Sequence, residues 1–408
     1  MRIFFLLLLS ITLLLISCGS DTGEGKPVNI YGGAGRTNSY EKYGSFSYKY
    51  PVLDEIEFKD SSGAATAPLV LPNSDIIVST VNGNIIYISS KQVKWSFKLD
   101  TDETPSASIA ADANMNIYII STTGKLYSIT KAGLLNWKKI IIDSLAKYDL
   151  ISDLLAQENG IVTAVSNGKI IKVGYNGKVK WTYTARLSPI KTFSADEKGN
   201  IYIPLTHDEF GKTDTLLCLS SDGKVVWQKG FDNTRFIKSP VVFKSRVIIF
   251  GIRESGEQKI STVNYLEVNG KVLWKKEILL FARNLSVDLD GRIYVTGYNS
   301  GIGEAMSGIF CYSPEGKLIW KNYFEVIIPS SPLLSKKYIG FVVNDKNSAG
   351  LYFLKKDGTL YEVVGLENMP PLYLQPAVTS DPLIIFSGAD RLSIVSIEEA
   401  PFDKFLPW

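Results

Sequence analysis

The 408-residue chain is 45% hydrophobic, 12% aromatic and 21% charged, with a formal net charge of +3 at pH 7. That balance excludes a disordered chain, and the absence of any basic block or basic helix argues against a nucleic-acid partner. With 3 cysteines and 1 histidine, the chain is also poor in the ligands and bases that metal centres and nucleophilic triads need.

The chain opens on Met1-Arg2, the apolar run Ile3 to Ile16, and Ser17-Cys18-Gly19. The run falls short of the about 20 apolar residues of a membrane-spanning helix. A basic start, a short apolar stretch and a small-residue end read as a secretory signal. Leu15-Ile16-Ser17-Cys18 resembles a bacterial lipobox, which implies cleavage before Cys18 and acylation of its thiol. The alternative is an ordinary signal peptide cut nearby, with Cys18 incidental. Gly19, where an aspartate would retain a lipoprotein at the inner membrane, points to the outer one. The expectation is a signal peptide over 1–17, a lipidated linker over 18–50 and a folded domain over 51–408, held in the bacterial cell envelope by its lipid. Gly32-Gly-Ala-Gly35 lacks the Lys-Ser/Thr and following helix of a phosphate loop and reads as a turn or linker.

Beyond the linker, six tryptophans recur at nearly even intervals: Trp95, Trp137, Trp181, Trp227, Trp274 and Trp320, spaced by 42, 44, 46, 47 and 46 residues. Five end one phrase, with glycine four residues ahead: Gly133, Gly177, Gly223, Gly270 and Gly316. Lys91 replaces that glycine before Trp95, and a seventh copy, Asp357-Gly358-Thr-Leu-Tyr-Glu362, loses the indole. A fixed period of this length marks an array of one supersecondary unit that cannot bury its apolar face alone.

Each unit reads as four short strands: Ile190 to Ser194, Asn200 to Pro204, Thr215 to Leu219 and Val225 to Gln228, for example, punctuated by Asp196-Glu-Lys-Gly199 and Ser221-Asp-Gly223. Ile140 to Gln157 carries a weak helical period with room for a turn or two. First strands occur eight times, beginning near Thr66, Ser106, Leu150, Ile190, Ser239, Asn284, Ser331 and Gln375, but the closing phrase only seven. Asp54-Glu-Ile-Glu-Phe-Lys-Asp60 mimics Lys94 to Asp100, so an N-terminal strand supplies the missing one. The fold expected is all-β: a monomeric eight-bladed β-propeller of four-stranded blades, its last blade closed by an N-terminal strand. The six tryptophans then dock blade to blade, because rings at six azimuths cannot converge on one ligand.

No catalytic residue, metal site or cofactor site emerges. Cys218 and Cys311 stand at equivalent places two repeats apart, beyond disulfide reach, and read as buried free thiols. The Asp196 to Gly199 and Asp288 to Gly291 segments lack the alternating ligands of a calcium loop and read as hairpin turns. His207, beside Asp208 and Glu209, reads as an exposed loop residue; a zinc site needs three or four convergent ligands.

The Gly-Lys-x-x-Trp phrase resembles the docking motif of quinoprotein dehydrogenase-type (PQQ-like) propellers, and Tyr31-Gly-Gly-Ala-Gly-Arg-Thr37 resembles the segment that often precedes their first blade. The stricter motif has alanine six residues before the glycine and threonine just before it; here Leu217 and Asp222, or Phe310 and Glu315, stand there. With the lipobox, the chain is similar to the BamB family of outer-membrane assembly lipoproteins, which implies a non-enzymatic scaffold for a protein partner. A quinone-dependent oxidoreductase is the alternative, although adjacent cysteines and a haem motif are missing. Long second-to-third connections, His207 to Asp214, Arg253 to Lys259, Tyr298 to Ser307 and Asn344 to Gly350, gather on one face with the link Ile140 to Asp149. Insertions on one face mark the binding side, so His207, Phe210, Arg253 and Tyr298 are the candidate partner-face residues. A glycan-binding surface using Phe210 and Tyr298 is the third reading.

Overall fold

The computed structural model describes residues 26–396, apart from Gly32, 44–52, Ser61, Ser144, Asp208, Phe210, 256–257, Leu279, 299–306, 346–347, 367–368, Pro370, Pro382 and Ala389. The chain forms eight antiparallel sheets, each a blade with its first strand innermost, arranged as an eight-bladed β-propeller. In blades 4 and 5 the inner strand is broken into two short pieces, Ser188–Pro189 with Ser194–Ala195 and Arg235–Phe236 with Val241–Phe243, all pairing with the second strand. Ile140 to Gln157 holds no helix among its described residues; a strand ends at Ile140, a turn follows and the next inner strand is Leu155–Gln157. Its apolar residues Ile142, Ile151 and Leu154 are spaced by packing between blades 2 and 3, which outweighs a weak helical period.

The eighth blade takes its outer strand from the other end of the described chain. Leu53–Glu57 pairs with Arg391–Val395, from Leu53 opposite Val395 to Glu57 opposite Arg391. Phe58, 3% exposed, then packs among Val78, Ile86, Ile385 and Leu392 and joins blade 8 to blade 1. Fourth strands are edges, and they carry exposed lysines beside the tryptophan, as in Val179-Lys-Trp-Thr and Leu273-Trp-Lys-Lys; exposed lysines discourage pairing with another chain.

Turn chemistry carries the repeat inward. Asp196 Oδ1 accepts the Lys198 and Asn200 amides at 2.9 Å each, while Oδ2 accepts Asn200 Nδ2 and the Tyr202 hydroxyl at 2.8 Å. Asp112 does the same with Tyr118, and Asp288 with Tyr294, so these carboxylates bond mainly inside their own hairpins, Asp288 also pairing with Lys356 of the next blade at 3.5 Å. The tyrosines lie against the tryptophans of the same blades, with centroids 5.9–6.1 Å apart.

Each tryptophan reaches the next blade. Nε1 of Trp95, Trp137, Trp181, Trp227, Trp274 and Trp320 donates to the carbonyls of Lys131, Tyr175, Ser221, Val268, Pro314 and Lys356 at 2.8–3.0 Å. The ring lies flat on that blade's turn glycine. At Gly223, with φ +78°, a Cβ would stand 2.5 Å from the Trp181 ring, so the position needs both left-handed backbone and an absent side chain. At the seam from blade 8 to blade 1, Lys91 takes the glycine's place and ion-pairs with Asp54.

Part of the segment expected as linker is built into the fold. Residues 28–31 and 33–40 lie as a strap across the inner strands. Val28 pairs with Ala111 of blade 2, and Asn29 exchanges side-chain bonds with Ala156 of blade 3. The Ala34, Gly35, Thr37 and Asn38 carbonyls then accept the amides of Ala195, Val242, Val287 and Leu334, in blades 4 to 7. A Cβ at Gly35 would overlap the Val242 carbonyl, which is why glycine stands there. Every docking point is at the end of an inner strand, just before its first-to-second turn, so the strap covers the tight-turn mouth of the ring.

Candidate binding faces and central channel

The two mouths of the ring differ in construction. First-to-second and third-to-fourth turns share the strap's mouth, where Glu41 accepts the Leu289 amide and pairs with Lys356 at 3.1 Å. Between strap and blades lies a cleft of about 710 Å³ walled by Val28, Asn29, Tyr40, Val70, Gln157 and Lys172. Lys172 is buried, donating to Gln157 Oε1 at 2.7 Å and the Ser221 carbonyl at 3.1 Å. Burial, reinforced by the nearby Lys180 charge and opposed by Asp222, pulls its ammonium down to about 8.

Second-to-third connections and blade-to-blade links form the opposite mouth. Those of blades 1 to 3 are tight, closing at Gly83, Gly124 and Gly168. Of the connections expected to be long, the one from His207 ends where Thr213 bridges Thr234 and the strand Asp214–Leu219 begins, but Arg253 to Lys259 is not a loop. Its strands run on as Arg246–Ser255 and Gln258–Glu267, paired up to Ser255 opposite Gln258. Backbone pairing carries the ladder through the polar Arg253-Glu254-Ser255, residue types that do not favour strands. In blade 7, pairing reaches Asn344 opposite Ala349, which leaves a shorter connection than expected. The connection after Tyr298 lies outside the described residues, as do Cys18 and Phe210.

The remaining partner-face residues occupy successive blades, each with its own partner. His207 is half-buried where an exposed residue was expected, and its amide donates to Asp214 Oδ1 at 2.9 Å. Asp214 is itself buried, also accepts the Phe236 amide, and burial raises its carboxyl against those bonds. Arg253 places Nε and Nη2 on Glu277 Oε1 at 3.1 and 2.7 Å. Tyr298 lies 5.7 Å from the Arg283 guanidinium, which also sits over Phe281 at 5.2 Å. The largest exposed aromatics on this mouth are in the blade-to-blade links: Tyr148, 84% exposed, beside Leu150 at 67%, and Tyr373 at 74%.

Inside the ring, the residue three before each strap contact faces the channel. These are Ser108, Asp153, Thr192, Ser239, Asn284 and Ser331, with Gln375 at the matching place in blade 8. Several clasp the adjacent blade: Asp153 Oδ1 accepts the Ser108 amide at 3.0 Å, Thr192 Oγ1 the Ser239 amide at 3.2 Å and Gln375 Oε1 the Ser331 amide at 2.8 Å. One position earlier, blades 4, 5 and 6 carry Lys191, Lys238 and Arg283, all exposed. Lys238 touches solvent while protein walls it on nearly every side. That enclosure lowers its ammonium pKa, with Asp153 opposing and the Arg283 and Lys191 charges adding to the effect. The sequence alone does not show this basic arc or Arg36; Lys191 and Arg283 each stand five residues before a turn aspartate, Asp196 and Asp288, but Lys238 joins their column only with Phe243 in the aspartate's place.

Among the described residues, no three His, Cys, Asp or Glu side chains converge as a metal site. Cys218 and Cys311 are buried and free, and burial pushes both thiols up to about 12.

No protein-family model and no curated protein sequence matches the chain. Among solved structures, BamB from Moraxella catarrhalis is similar with a TM-score of 0.62 at 15% identity, over 85% of this chain and 100% of that one. A europium-containing methanol dehydrogenase gives a TM-score of 0.69 at 11% identity, over 90% and 91% of the two chains. The Dos1 propeller gives 0.65 at 11% identity, over 85% and 96%. At such identities the likeness is one of fold, the β-propeller repeat of BamB-like and PQQ-like proteins. The channel does not fit the quinone and hard cation of the dehydrogenases. Asp153 is the one carboxylate in its ring of inner-strand residues, already bonded to Ser108, whereas such a cation takes about 6–8 oxygen ligands.

Proposed function

We propose that this propeller is a non-enzymatic, lipid-anchored scaffold of the bacterial cell envelope that binds a protein partner through its long-connection mouth, in outer-membrane protein assembly. The observation that carries the reading is the strap. It begins beside blade 2 on the tight-turn mouth, and Lys26 stands eight positions after Cys18. At roughly 3.5 Å per residue, an acyl chain on Cys18 holds that mouth within about 28 Å of the bilayer. The opposite mouth then faces away from the anchor, with exposed Tyr148, Leu150 and Tyr373, half-buried Tyr298 and the Arg246–Glu267 hairpin on different blades around it. Exposed tyrosines and protruding hairpins supply the large, rigid contact area that protein interfaces use.

The test is co-purification from detergent-solubilised envelope. The full-length chain is expected to fractionate with outer membranes and recover a barrel-assembly subunit, and Cys18→Ser to lose the membrane fraction. Retention of the Cys18→Ser chain on membranes, or recovery of no assembly subunit, contradicts the proposal.

A further inference from the structure

Arg36 lies in the strap at the floor of the channel and is 2% exposed. Its Nε donates to the Phe193 carbonyl at 2.7 Å, and the guanidinium carbon sits 5.2 Å from the Tyr31 ring centre. Nη1 and Nη2 are buried and have no acceptor. A buried guanidinium with unspent donors is costly unless an anion accepts from it. Asp153 does not discharge that need by contact, because the Nη groups bond to nothing and Asp153 Oδ1 already accepts from Ser108.

Arg36 borders a cavity of about 30 Å³ that also touches Thr192, Lys238, Ser239, Asn284 and Ser331. A water-sized site needs roughly 10–15 Å³ on this measure, so the space suits the two oxygens of a carboxylate and excludes a fused-ring quinone. Its walls are rich in donors: an ammonium, hydroxyls and an amide. Asn38 Oδ1, also buried and unpaired, belongs to a side-chain amide held only by a 3.4 Å bond from Nδ2 to the Arg36 carbonyl, and turning it over presents another N–H. The strap closes the cavity below. Above it, Lys238 reaches solvent between Lys191 and Arg283, giving the entrance a basic rim that draws anions in.

We propose that this cavity is a carboxylate-binding site entered from the long-connection mouth, with Arg36 Nη1 and Nη2 holding the anion and Lys238 supplying the second positive charge. The site does not depend on whether the rim takes a protein partner. The test is calorimetric titration of the full-length protein with acetate, and with trialanine bearing a free or an amidated C-terminus. Acetate is expected to bind, with about ten-fold or greater weakening in Lys238→Gln and loss of binding in Arg36→Met. Arg36→Met also gives up the bond to Phe193, so its fold is checked by circular dichroism; exposed Lys238 provides the variant that keeps the strap intact. Competition by free but not amidated trialanine identifies a chain terminus as the source, and binding of acetate alone identifies a free small acid. No binding of either carboxylate, or unchanged affinity in Lys238→Gln, overturns the proposal.

Discussion

At the scale of single residues, the repeat is a relay from turn aspartate to tyrosine to tryptophan to the next blade's glycine. The glycine and tryptophan positions were legible as spaced letters. The Asp-to-Tyr step, as in Asp196 with Tyr202, was not, because it depends on a side chain reaching six residues along a hairpin. Lys172 was equally hidden, since nothing in its local sequence marks it as buried beneath the Trp181 strand. Its depressed ammonium has a signed consequence. Relative to an unfolded lysine, the folded chain binds fewer protons between about pH 8 and 10.5, so its contribution to stability is greatest above that window and is lost as pH falls through about 8. Lys172→Met is therefore expected to be favoured over the parent most at pH 7, with the advantage shrinking by roughly 2 kcal/mol at pH 10. Urea unfolding of both proteins at the two pH values checks this; an advantage that does not change with pH contradicts it.

At the scale of strands and blades, closure is apolar before it is ionic. Leu53–Glu57 completes blade 8, and the seam to blade 1 holds buried Phe58 in a cluster with Ile76, Val78 and Leu392. The Lys91–Asp54 pair at the same seam is solvent-exposed. Phe58→Ala is expected to cost about 3–5 kcal/mol by leaving a cavity between blades, and Asp54→Asn less than about 1 kcal/mol. Denaturant midpoints of the two variants decide the order, and a larger loss in Asp54→Asn would reverse it. The strand itself was readable because Asp54 to Asp60 copies the fourth-strand pattern. The strap's course was not, because it is held mainly by backbone amides and carbonyls, with the Asn29 side chain at blade 3, and these leave no side-chain period. Tyr31 to Thr37 was its written trace, and without the fold Gly35 within it reads as any flexible turn. Arg253 to Lys259 reads as a loop in the sequence because its polar residues hide the pairing that the strands carry through it.

At the scale of the whole molecule, the ring has an orientation: a sealed mouth crossed by the N-terminal strap, and an open mouth with irregular connections, exposed aromatics and a basic channel entrance. Lipid anchoring through Cys18 would turn the first toward the membrane and the second toward a partner. The lengthening repeat spacing points to the same mouth, although in blades 5 and 7 the strands pair through most of the extra residues. The cations inside it were not legible, because Lys191, Lys238 and Arg283 become neighbours only when successive blades are superposed around the axis. The most direct test is photo-crosslinking in intact envelopes, from a benzophenone amino acid placed at Tyr148 or Tyr298 on one mouth and at Lys198 or Asn269 on the other. Adducts with a defined envelope protein from Tyr148 and Tyr298 alone are the predicted result. Adducts confined to Lys198 and Asn269, or equal from both mouths, would contradict the assignment of the partner face.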